Sequence, residues 1–279
     1  MTRSSSRYRG SVPITDDWQH FRFAVENRVA TVTLDRPEKM NPLTFESYAD
    51  LRDLLHELPH RGDTDVLVIR GEGKGFCGGG DVNEIIGELI KMDPRDLIGF
   101  TRMTGDVIKA MRECPVPIVA GIQGIAAGAG SVIAIASDFR VCSSSARFAF
   151  LFTKVGLSGG DMGAAYLLPR LVGAGRATEL LMLGDTIDAA TADRYGLVSQ
   201  LVDDQSLDDA VAALARRLAD GPTLAYAQTK SLITRELDMP LGSAMELDAM
   251  TQALLMTTSD HAEFHAAFNE KRAPQWTGR

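Results

Sequence analysis

Two glycine-rich segments, each set between an apolar run and a helical pattern, constrain this chain more than any other feature. The first, Gly71-Glu72-Gly73-Lys74-Gly75-Phe76-Cys77-Gly78-Gly79-Gly80-Asp81, follows Val66-Leu67-Val68-Ile69. The second, Gly124-Ile125-Ala126-Ala127-Gly128-Ala129-Gly130-Ser131, follows Val116-Pro117-Ile118-Val119. Glycine lets the main chain turn and lets a ligand come close to backbone N–H groups. Two such turns can aim two N–H donors at one point, the arrangement that stabilises negative charge on a carbonyl oxygen. Phosphate cradling is the rival reading. The phosphate-loop pattern ends in Lys-Ser or Lys-Thr, whereas Lys74 is followed by Gly75, and the strict alternation of Gly71, Gly73 and Gly75 is not the dinucleotide fingerprint. The second loop fits neither pattern. Tight turns with close helix–strand packing would account for either loop alone, but less well for both.

The rest of the chain supports an α/β core. Phe21-Arg22-Phe23-Ala24-Val25 and Val29-Ala30-Thr31-Val32-Thr33-Leu34 alternate apolar and polar residues around Glu26-Asn27-Arg28, which predicts a hairpin. Thr44 is placed to cap a helix with Phe45, Tyr48, Leu51, Leu54 and Leu55 on one face. A strand over 65–69 and a helix around 103–111, stopped at Cys114-Pro115, lead to the second glycine unit, and 139–142 reads as a further strand. Gly184 closes a helix over 176–183, and three helices are expected between Leu207 and Lys271.

At 279 residues the chain can bury a large core. Its net charge of -8 argues against a nucleic-acid surface, which needs clustered Lys and Arg. Cys77, Cys114 and Cys142 lack metal-site spacing and suit a reducing, cytoplasmic setting. The longest apolar stretch, from Pro115 to Ser137, is broken by Pro117, Gln123 and glycines, so it reads as strand–turn–helix and not as a membrane span. His261 and His265 stand at i and i+4, but in the expected C-terminal helices and away from the loops, so no metal site is expected. Residues 1–16 read as a disordered tail, 17–205 as the core and 206–279 as a helical C-terminal region.

In order and spacing, these segments resemble the enoyl-CoA hydratase/isomerase (crotonase) superfamily. The resemblance runs from about Phe21 to Arg272 and includes Leu34-Asp35-Arg36-Pro37-Glu38-Lys39-Met40-Asn41-Pro42-Leu43 and both glycine loops. It continues through Leu168-Pro169-Arg170-Leu171-Val172-Gly173, Ala192-Asp193-Arg194-Tyr195-Gly196-Leu197-Val198 and Phe268-Asn269-Glu270-Lys271-Arg272. It implies a spiral of ββα units and a helical C-terminal region that forms a homo-trimer or a dimer of trimers. It also implies an acyl-CoA thioester substrate, with coenzyme A brought by the substrate and no further cofactor. The oxyanion donors would be the N–H groups of Gly80 and Ala129. Arg36, Lys39 and Gly78 would lie beside the CoA, and Lys271 would reach a neighbouring protomer's nucleotide, each with a solvated or structural role as the alternative. Phe76, Val132 and Phe152 would line the acyl pocket.

The resemblance also marks a departure. Hydratases of this type carry two glutamates, and Val132 and Phe152 occupy those places, so ordinary water addition lacks its acid and base. Asp161 remains, where some isomerases and dehalogenases of the superfamily carry a functional aspartate. Its alternative role is the N-cap of a helix over 162–170. A single carboxylate beside an oxyanion hole suits moving a proton between carbons of an enolate. The expectation is therefore isomerisation or hydration of an unsaturated, ring-bearing acyl-CoA with Asp161 as acid/base. Hydrolysis, C–C cleavage or dehalogenation of a ring-bearing thioester is the alternative within enzymes, and a non-catalytic acyl-CoA binder the alternative outside them.

Overall fold

The computed structural model describes residues 14–278; most of the N-terminal segment expected to be disordered lies outside them. The hairpin forms as β1 (Arg22–Glu26) and β2 (Val29–Leu34), paired antiparallel. Asn27 and Arg28 both take positive φ, 48° and 69°, the two-residue turn whose twist matches the flanking strands. Thr44 caps α1 (Phe45–Arg61) through a reciprocal capping box with Ser47. β3 (Val66–Gly71) leads into the first glycine loop, then into a helical turn over Val82–Ile86 continued by the short α2 (Gly87–Leu89) and by α3 (Pro94–Glu113). β4 (Ile118–Ile122), β5 (Ile125–Ala127) and α4 (Ala129–Ala136) carry the second loop.

β6 (Phe139–Ser143) and β7 (Arg147–Ala149) precede α5 (Ala164–Leu183), β8 (Ile187–Asp188), α6 (Ala189–Arg194) and β9 (Gln200–Val202). The main sheet has the order β1-β2-β3-β4-β6-β9 and is parallel beyond its first pair, while β5-β7-β8 form a smaller sheet beside it. Crossovers through helices cover both faces, which is why the strands read as unbroken apolar runs. On β3 the alternation divides the side chains. Leu67 and Ile69 join the core shared with α1, α3 and α4, whereas Val66 and Val68 pack with Leu207, Val211 and Leu218.

Those last residues belong to α7 (Leu207–Ala219), followed by α8 (Thr223–Glu236), α9 (Leu241–Met256) and α10 (Ser259–Glu270). Four helices thus fill the segment for which three were expected. The first of them packs on β3, β4 and β6, so the boundary drawn at 205/206 divides elements that share one core. α8 is tied to the sheet by Lys230, 6% exposed, whose Nζ pairs with Asp138 at 2.7 Å and donates to the Val116 carbonyl at 3.0 Å. α5 spans two expected helices as one element, with a dihedral break at Gly173 (φ 78°, ψ 158°) where the sequence suggested a gap.

Candidate active site

The two glycine loops are docked against each other by main-chain bonds. Phe76 and Cys77 N–H donate to the Ile125 carbonyl at 3.1 and 3.0 Å, and Ala127 N–H donates to the Cys77 carbonyl at 2.9 Å. Contact this close leaves no room for side chains. A methyl on Gly130 would stand 2.3 Å from the Cys77 carbonyl oxygen, and one on Gly124 would stand 2.0 Å from that of Lys74. Gly128, with φ 50° and ψ -120°, adopts a backbone that L side chains rarely adopt. Asn41, 1% exposed, braces the first loop from behind. Its Oδ1 accepts the Arg36 N–H at 2.9 Å, and its Nδ2 donates to the Glu72 and Gly75 carbonyls at 2.9 and 2.8 Å.

This docking frees the two N–H groups singled out in the sequence. Leu43 pairs with the first loop through Leu43 N–H to Gly79 O (2.7 Å) and Asp81 N–H to Leu43 O (2.8 Å), a bridge that skips the Gly80 N–H. Ala129 is the first residue of α4, so its N–H has no intrahelical acceptor, and the Ile125 carbonyl four residues back is already occupied. Among the described residues neither group donates to an acceptor. The loops bring them together: a methyl on Gly79 would lie 3.6 Å from the Ala129 nitrogen. The positive end of α4 adds to the field there. Two unpaired donors beside a helix N-terminus can hold an oxyanion in a region largely closed to water.

Asp161 sits in a one-turn helix over Asp161–Gly163 that packs against α3, α4 and α5. It does not cap α5, whose N-cap is Gly163 in the left-handed region, so the capping role considered for it is corrected. Met162 at φ 51° breaks the helical path between the two. Among the described residues, the one hydrogen bond to the carboxylate is from Met162 N–H to Oδ1 at 2.9 Å. Burial raises its pKa above the ordinary carboxylate value, and that single N–H offsets only part of the effect. Tyr48, a residue that looked like plain core in the sequence, reaches the same place. Its ring is 3% exposed, and a methyl on Gly80 would lie 3.8 Å from its hydroxyl.

The remaining candidates divide. Arg36 and Lys39 stand beside the first loop but face acids. Arg36 Nη2 lies 3.1 Å from Asp81 and 2.7 Å from Glu84, and Lys39 Nζ lies 3.8 and 3.9 Å from the same two carboxylates. Burial alone would raise the Asp81 pKa, yet the N–H groups of Glu84 and Asn83, with the charges of Arg36 and Lys39, hold it below the usual range. Gly78, half-buried, donates its N–H to the Met40 carbonyl at 2.7 Å. Phe76 and Val132 have no exposed surface, so they back the site and do not line it, which corrects the expectation for both. Phe152, on a short helical turn over Leu151–Val155, is 8% exposed. Lys271 caps the C-terminus of α10, which packs on α9. The cysteines are buried thiols, and burial pushes Cys77 and Cys142 up to about 12 and Cys114 to about 11, so none supplies a thiolate nucleophile.

The same arrangement of chain recurs in known proteins. A family model described as enoyl-CoA hydratase/isomerase matches residues 24–279. The 1,2-epoxyphenylacetyl-CoA isomerase of Escherichia coli (strain K12) is 34% identical over 255 residues, covering 91% of this chain and 97% of that protein. The (E)-benzylidenesuccinyl-CoA hydratase of Thauera aromatica is 35% identical over 256 residues, covering 91% of this chain and 97% of its own. A solved structure of enoyl-CoA hydratase type from Streptomyces coelicolor A3(2) superposes with a TM-score of 0.96 at 63% identity, covering 98% of this chain and 100% of that one.

Proposed function

The chain belongs to the enoyl-CoA hydratase/isomerase family, as an enzyme of that family, and within it we propose that it isomerises a ring-bearing acyl-CoA thioester through an enolate. The thioester carbonyl oxygen is received by the N–H groups of Gly80 and Ala129. Asp161 takes the proton from one carbon of the acyl chain and returns it to another. One observation carries this reading: among the described residues the Gly80 and Ala129 N–H groups are without acceptors, and Asp161, on a turn packed against α4, accepts one hydrogen bond and has a raised pKa. A carboxylate poised in this way is matched to proton transfer from carbon.

The ring-bearing acyl group is supported by the names of two relatives, which give 1,2-epoxyphenylacetyl-CoA and (E)-benzylidenesuccinyl-CoA. Val132 and Phe152 offer no titratable group to activate water, which favours isomerisation over hydration. Of the two cations beside the first loop, Lys39 is the better contact for a CoA phosphate, because about half of its side chain is exposed whereas Arg36 is three-quarters enclosed between Asp81 and Glu84. No cofactor beyond coenzyme A is required by this chemistry. Turnover of linear, cyclic and aromatic acyl-CoA thioesters by the wild type and by Asp161→Asn tests the reading. A loss of about 10²–10⁴-fold in kcat on the preferred substrate is expected. Equal rates for both proteins on every thioester would remove Asp161 from the reaction.

A further inference from the structure

Tyr48 enters the site from α1, on the face it shares with Leu51, Leu54 and Leu55. A phenylalanine would fill the same space, so the hydroxyl is what needs an explanation. The ring meets Phe100 edge-on, with centroids 6.0 Å apart. Its hydroxyl lies beside Gly80, 3.8 Å from where a methyl on the glycine would stand, and Gly80 bears one of the two unpaired N–H donors. Among the described residues nothing gives or accepts a hydrogen bond at this oxygen. The hydroxyl is not among the fully enclosed, unpartnered polar atoms, so its oxygen keeps contact with open space although the residue is only 3% exposed. Here the open direction is the space that the reacting acyl group would occupy.

We infer that the Tyr48 hydroxyl is a further catalytic group of this site, a neutral donor that hydrogen-bonds the reacting acyl group beside Gly80 while Asp161 moves the proton. The inference rests on the enolate reading above and adds a third donor to it. Burial, with smaller contributions from Cys77 and Asp161, holds the phenol well above its usual range. Tyr48 therefore stays protonated and cannot act as the base. Asp161 accepts a proton from carbon and returns it, Tyr48 keeps its own, and both groups end the cycle as they began. A donor whose bond strengthens as charge builds on the substrate lowers the barrier without tightening ground-state binding.

The test compares wild type, Tyr48→Phe and Asp161→Asn. It follows α-proton exchange of phenylacetyl-CoA in deuterium oxide by NMR, turnover of the thioester panel, and thermal unfolding. Tyr48→Phe is expected to lower kcat about 10–100-fold with KM within about threefold. Its Tm is expected to stay equal, because the substitution keeps the ring and breaks no hydrogen bond within the chain. Rates within twofold of wild type for Tyr48→Phe, alongside an inactive Asp161→Asn, would overturn the role of Tyr48 and leave the enolate reading standing. A fall in Tm together with kcat would make Tyr48 structural and also overturn it. A wild type that neither exchanges the α-proton nor differs from Asp161→Asn on any thioester would overturn the enolate reading, and the role of Tyr48 with it.

Discussion

At the residue scale, Asp161 sets two opposed pH dependences. Burial raises its pKa in the folded protein, so the acid limb of kcat/KM should lie above the ordinary carboxylate value of about 3.9. Activity is lost as pH falls through that raised value, because the base is then protonated. Stability runs the other way. A carboxyl whose folded pKa exceeds its unfolded one costs the fold nothing below the unfolded pKa and its full penalty above the folded one. Asp161→Asn keeps an oxygen for the Met162 N–H, so its Tm should exceed that of wild type at pH 7 and match it near pH 3. Calorimetry at the two pH values checks this, and a Tm difference independent of pH would show that the carboxylate bears no burial cost. Asp161 drew attention in the sequence because Val132 and Phe152 stand where the resemblance expects acids, and Asp161 stands at another acidic position of the superfamily. Tyr48 did not, because a phenol on the buried stripe of a helix has the same periodicity as leucine. Only the position of its hydroxyl beside Gly80 separates it from the core.

At the scale of elements, the loops were legible as loops, but the purpose of their glycines was only half so. Their position between strand and helix predicts N–H donors, and the structure frees Gly80 and Ala129. Gly124 and Gly130 serve a different end, which no local pattern shows: each faces a carbonyl of the other loop at a distance that excludes a side chain. Gly130→Ala should therefore force the loops apart. The overpacking cost is about 1–3 kcal/mol, and because Ala129 lies next to it, kcat should fall at least about tenfold as the second donor leaves its position. Thermal melts paired with kinetics check this; wild-type kcat in Gly130→Ala would show that the loop tolerates separation. Asn41 makes the matching case from behind the first loop. Asn41→Ala leaves the buried carbonyls of Glu72 and Gly75 without this donor, which should cost about 1–3 kcal/mol in denaturant unfolding. The strands and the α1 cap could be read locally because alternation and the Thr44–Ser47 pair are short-range signals. The turn after Asp161 could not, since left-handed Met162 and Gly163 move the helix start beyond the residue that looked like its cap.

At the scale of the whole molecule, the surface is less balanced than a single chain in water needs. One large groove lies away from the glycine loops. It runs between α3, α5, α7 and α8, about 1020 Å³ in volume, and Ile108, Leu167, Ile233 and Leu237 help to line it. Beyond it, α9 and α10 expose Leu241, Met245, Met250, Leu254 and Phe268, each more than half accessible. α9 carries apolar residues around its whole circumference, the mark of a helix with neighbours on every side. Within the chain, however, it packs chiefly on α8 and α10. Large apolar patches of this kind mark interaction surfaces, and closed rings of identical chains are the common way to cover them. We propose that copies of this chain, assembled through α8–α10 as the trimer or pair of trimers expected from the sequence, cover these faces. Light scattering on the purified protein should then give a mass near three or six times the 30.2 kDa of one chain. Met250→Asp combined with Leu254→Asp, four residues apart and so on one face of α9, should shift the mass toward the single chain. Because Gly80, Ala129 and Asp161 are held by the sheet core and α3–α5, the dissociated form should keep the site's architecture, and any loss of activity should fall mainly on KM, where a neighbour's Lys271 would act. A wild-type protein that is monomeric at micromolar concentration, with α9 protected from hydrogen exchange, would mean that the chain covers this face by itself.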